Sequence, residues 1–92
     1  HALSLAQQAA SVAPEDPAIL HALGHIYLMQ GDPQQARVWL EKAIGAGSVD
    51  ARAFMHLGDA HEQLGDRERA RHFWREALQL DPNNRTIIEK LD

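Results

Sequence analysis

The sequence repeats itself with a period of 34 residues. Leu23-Gly24 returns as Leu57-Gly58, Gly31-Asp32 as Gly65-Asp66, Ala36-Arg37 as Ala70-Arg71 and Ala43 as Ala77, seven identities between units 17–50 and 51–84. Leu20/Phe54, Trp39/Phe73, Leu40/Trp74 and Ile44/Leu78 stay apolar. A repeat of this length is one supersecondary piece that cannot bury its apolar side alone, so successive units must stack. Running the register backwards sets Ala2, Ala6, Ala9 and Pro14 where Ala36, Leu40, Ala43 and Ser48 stand; forwards, Ile88 and Leu91 fall at Phe54 and Leu57. The chain therefore divides into the second helix of a truncated repeat (1–16), two full repeats (17–50 and 51–84), and the start of a further or capping helix (85–92).

Each unit reads as two helices. Asp16-Pro17 and Asp32-Pro33 are N-cap and N1-proline pairs, and Gln35 stands three residues after the second cap. Leu20, Leu23 and Tyr27 recur at helical spacing, and Gly31 and Gly65 stop their helices as C′ residues. These signals predict antiparallel helices over 1–12, 17–30, 33–46, 51–64, 67–80 and 85–91, stacked as a right-handed α-solenoid in an all-α fold. Leu23, Leu40, Ala43, Leu57, Ala70, Trp74 and Ala77 are the expected core, and Trp39 reads as core in register. Gly24 and Gly58 sit mid-helix, where glycine costs about 1 kcal/mol against alanine. Close approach of the paired helix at Ala36/Ala43 and Ala70/Ala77 would offset that cost, with Leu40, Trp74, Tyr27 and Phe54 filling the space between pairs. Ser48, preceded by Gly45 and Gly47, predicts a loose turn between the units.

Composition narrows the function. The net charge of −4 lacks the basic face with which nucleic-acid binders neutralise phosphates. The absence of cysteine excludes disulfides and thiol chemistry, and no apolar run is long enough for a membrane span. No Ser/His/Asp order, glycine-rich phosphate loop or convergent carboxylate pair points to an enzyme, and no cofactor is implied. A start at His1 suggests a piece of a longer protein. The many Ala, Gln and Arg residues look bacterial, leaving the cytoplasm and the cell envelope both open.

The 34-residue period, the Leu-Gly and Gly-Asp pairs, the later alanines and the run from Ala77 to Asn84 resemble the tetratricopeptide repeat over the whole chain. Ser48 departs from that pattern at the exit proline, and His61 stands where Tyr27 stands, placing a polar ring at a semi-buried position. The resemblance implies a protein-interaction scaffold with protein or peptide partners and a concave groove lined by the first helix of each unit. Carried over by position, the first unit would offer Ala18, His21, Ala22, His25, Leu28 and Met29. The second would offer Arg52, Met55, His56, Asp59, Glu62 and Gln63, and the last helix Thr86, Glu89 and Lys90. Family versions that clamp a carboxylate use cationic and amide side chains; the corresponding residues here are His21, His25, His56, Thr86 and Lys90, so only Lys90 keeps a fixed positive charge.

Several readings of these residues stay open. Leu28 and Met29 either anchor a peptide, or are covered by a helix of a missing upstream repeat or pack within their unit. Asp59, Glu62, Glu68, Glu76 and Glu89, alternating with arginines, read as a solvated face. His21 and His25 stand four apart, spacing that can present two nitrogens to one metal, but Ala22 stands where a metalloprotease helix needs Glu, so no metal is assigned. If His21, His25 and His56 charge together at mildly acidic pH, a carboxylate partner should bind more tightly at about pH 6 than at about pH 8. Against this stands the reading of solvent-exposed histidines without a ligand. The alternative function is structural, with Ala6, Ala9, Ile88 and Leu91 exposed at the ends for self-association or docking on other repeats.

Overall fold

Short-range capping chemistry sets where each helix begins. In the computed structural model, which describes residues 2–92, α1 (Ala2–Val12), α2 (Pro17–Met29), α3 (Pro33–Gly45), α4 (Ala51–Gln63), α5 (Arg67–Leu80) and α6 (Arg85–Leu91) follow one another, with no strand among the described residues. The expected position His1 lies outside the described residues. Asp16, Asp32, Asp50 and Asp66 each accept a hydrogen bond from a first-turn amide, of Ala18 (3.0 Å), Gln35 (3.2 Å), Arg52 (2.9 Å) and Arg69 (3.0 Å). Asn84 does the same for Ile87 N at 3.1 Å.

Helix ends are closed by one device used three times. Gly31 and Gly65 take φ of 79° and 87°, and the following amides, Asp32 N and Asp66 N, donate back to Tyr27 O and His61 O at 3.0 and 2.9 Å. The turn after α3 was expected to be loose. Instead Gly47 takes φ 101°, Ser48 N donates to Ala43 O at 3.0 Å, and Ser48 Oγ accepts from Asp50 N at 3.4 Å. Without the exit proline, the hydroxyl and the glycine close this turn.

The pairs α2/α3 and α4/α5 pack through their glycines. The expected core residues are 0–2% exposed. Leu40 and Trp74 each lie on the glycine of their own pair and, as expected, also reach the next one: Leu40 packs with Leu57 and Ala60 of α4, and Trp74 with Ile87 of α6. A Cβ on Gly24 would stand 2.6 Å from Leu40 Cγ, and one on Gly58 would stand 2.5 Å from Trp74 Cδ1. The missing side chain thus makes room for a large one on the partner helix. Leu28, Ala36, Leu40, Leu57 and Ala60 form one cluster spanning α2, α3 and α4, which joins the two pairs. Ala70, Trp74, Ala77 and Ile87 form a second cluster that fixes α6, with Phe54, Met55 and Leu91 against it.

Four further expectations are corrected by this packing. Trp39 is half-buried, with Lys42 Nζ 4.2 Å above its ring and a buried Nε1 that has no hydrogen-bond partner. His61 is fully buried, stacked on Phe73 at 5.4 Å, and desolvation holds its pKa below the usual value. At the ends, Ile88 is 40% exposed as expected, but Ala6, Ala9 and Leu91 are partly buried, whereas Leu5 and Val12 are 67% and 85% exposed. Leu28 is core, at 8% exposure. No helix among the described residues is long and apolar enough to cross a membrane.

Candidate functional site

The faces of α2 and α4 meet through three imidazole rings. His21 Nε2 and His56 Nδ1 are 2.9 Å apart, one of them protonated and donating to the other. His25 stacks on His56 with ring centroids 4.1 Å apart and an interplanar angle of 2°. The four-residue spacing places His21 and His25 on one face of α2, and their neighbours Ala18 and Ala22 leave that face open.

Burial opposes charge on two of these rings. His21 is nearly inaccessible, and desolvation, the Arg52 charge and His25 hold its pKa down while Asp50 raises it. His56 is pushed down to about 3, first by desolvation and then by His25, His21, Lys90 and Arg52. His56 therefore stays neutral at pH 6, and His21 takes up a proton less readily than a free imidazole. Joint charging of the three rings at mildly acidic pH is therefore opposed at His21 and His56, and His21 is buried rather than solvent-exposed.

Beside the rings lies a cavity of about 540 Å3, bounded on α2 by Pro17, Ala18, His21, Ala22 and His25. Its opposite wall is the segment Gly47–Asp50 with Arg52. Asp50, held at the N-cap of α4, forms a two-point ion pair with Arg52 at 2.9 and 3.3 Å. That pairing, ahead of other causes, keeps the Asp50 carboxyl below the usual carboxylate range. Sequence reasoning placed Arg52 here and missed Val49 and Asp50. Ser48, where the sequence departs from proline, lines the cavity beside them.

The other half of the concave face is organised by Asp59. Its Oδ1 accepts from Trp74 Nε1 and pairs with Lys90 Nζ, both at 3.0 Å, and Trp74 Nε1 also donates to Met55 O at 3.2 Å. Asp59 is thus a tie between α4, α5 and α6, not part of a solvated face, and Lys90 is not a free cation. Met55 is partly buried, while Met29, Glu62, Gln63, Thr86 and Glu89 are exposed. The structure therefore brings His21, His25, His56, Ala18, Ala22 and Arg52 together and leaves Leu28 out. Among the described residues no group of three or more His, Asp or Glu is arranged to hold a metal ion.

Two tetratricopeptide-repeat family models match the chain, one over residues 1–55 and one over residues 51–84. No curated protein matches the sequence significantly. Among solved structures, the first tetratricopeptide-repeat domain of Spaghetti (RPAP3), bound to the HSP90 peptide SRMEEVD, superposes with a TM-score of 0.92 at 19% identity, covering 97% of this chain and 71% of that one. The Arabidopsis OM64 domain of the same type gives 0.93 at 22% identity, with coverages of 97% and 74%. MamA gives 0.89 at 18% identity; 97% of this chain is covered and spans 52% of that protein's chain.

Proposed function

This chain belongs to the tetratricopeptide repeat family of protein-interaction modules, and on that premise we propose that its concave face binds a peptide or extended protein segment. The observation that carries this reading is the open cavity of about 540 Å3 between α2 and the turn before α4. Its exposed floor residues, Ala18 and Ala22, take no part in the core, so an incoming side chain meets the histidine rings without unfolding anything. The shared fold with the Spaghetti domain, whose structure holds a peptide, supports a ligand of that kind. We assign Met29, Arg52, Met55, His56, Asp59, Glu62, Gln63, Thr86, Glu89 and Lys90 to the continuation of the groove, Asp59 and Lys90 as its paired wall.

The test uses the double variant Ala18→Arg/Ala22→Arg, which fills the cavity from exposed positions and leaves the core intact. Partner capture or peptide-array binding should be lost while the helical circular-dichroism signal is kept. Retained binding would move the site off this face. A second reading, self-association, is favoured by the exposure of Leu5 and Val12 on α1.

A further inference from the structure

A ligand's end group would meet fixed charge at only one point of the cavity wall. Asp50 is immobilised there because its Oδ1 accepts Arg52 N at 2.9 Å as the α4 cap. The Arg52 side chain, although 68% exposed, is engaged by both oxygens of that carboxylate, so its charge is already paired. Lys90, the remaining fixed cation of the concave face, is held by Asp59. Burial keeps His56 uncharged and lowers the pKa of His21. What remains is a concave surface of Pro17, Ala18, Ala22 and the faces of stacked rings, with Val49, 78% exposed, at its edge.

Resting on the groove reading above, we propose that this cavity takes an uncharged aromatic or branched aliphatic side chain of a partner and rejects a free C-terminal carboxylate. Parallel stacking of His25 on His56 leaves a flat ring surface on which a further aromatic group can pack. The cavity has room for one such side chain and its flanking backbone. A carboxylate at the same place meets the Asp50–Arg52 pair and finds no unpaired cation to replace the water it gives up.

Two probes that share an indole separate these outcomes: N-acetyl-tryptophan amide and N-acetyl-tryptophan, titrated at pH 7 into the 15N-labelled chain. Amide resonances of Ala18, Ala22 and Val49 should shift, with the uncharged probe binding about threefold or more tightly than the acid, because the acid leaves water without meeting an unpaired cation. Asp50→Asn keeps a good N-cap while removing the charge, so in that variant the preference should vanish or reverse. An acid bound as tightly as the amide by the parent chain overturns the inference and leaves the groove reading standing. Shifts confined to other surfaces, or none with either probe, overturn both.

Discussion

Trp74 lies across Gly58. A Cβ added to that glycine would stand 2.5 Å from both Cδ1 and Nε1 of the indole and 2.9 Å from Ala70 O. The glycine is therefore a steric requirement of the α4/α5 pair, and the helix tolerates its propensity cost because the large ring is buried there.

Gly58→Ala is expected to destabilise the chain, although alanine is the better helix former by about 1 kcal/mol. Overpacking costs about 1–3 kcal/mol, and the indole cannot turn away without giving up its bonds to Asp59 and Met55. Gly58→Leu should be worse. Urea midpoints measure both, and an unchanged midpoint in either would refute the close contact. Gly24→Ala should cost less, since it meets the side chain of Leu40, which has other rotamers.

Asp59→Ala removes one acceptor from Trp74 and the only ion-pair partner of Lys90 among the described residues. The expected loss is about 1–2 kcal/mol, with faster amide exchange concentrated in α6. A double-mutant cycle with Lys90→Met should give a coupling energy clearly different from zero. Additive effects would mean that the pair does not hold α6.

Stability should fall as pH is lowered from about 6.5 toward 3. His56 titrates near 3 when folded and at its ordinary value when unfolded, so over that window the unfolded chain binds more protons and acid favours it. His21 and His61, also lowered, act in the same direction. The stabilisation is fully present above pH 6.5. His56→Gln should flatten this pH dependence, as read from urea midpoints at pH 7.5 and 4.5. An equal slope in the variant would place the cause elsewhere.

Self-association through α1 should respond to its exposed apolar residues. If the chain forms dimers or larger species, Leu5→Lys/Val12→Lys should return it to a monomer in sedimentation velocity, with the thermal midpoint little changed. Unchanged oligomers would place the contact at another surface.

Helix positions and turns were legible because their causes act over a few residues: an Asp or Asn bonding its own first turn, and a glycine at positive φ closing the last one. The 34-residue spacing added which helices pair and that the fold is a stack of helical repeats. Tertiary structure decided what no local pattern encodes. It chose Leu40 and Trp74 as the occupants of the glycine gaps, drew Leu28 into the joint between the pairs, and left Met29 beside it exposed. It joined Asp59 to Trp74 and Lys90, and set the rings of His21 and His56, 35 positions apart, at 2.9 Å. The physical reason is that a side chain's charge and accessibility depend on desolvation and on distances through space. Where α2 meets α4, burial lowers the pKa of His21 and holds His56 neutral at pH 6, which neither residue's own helix would do.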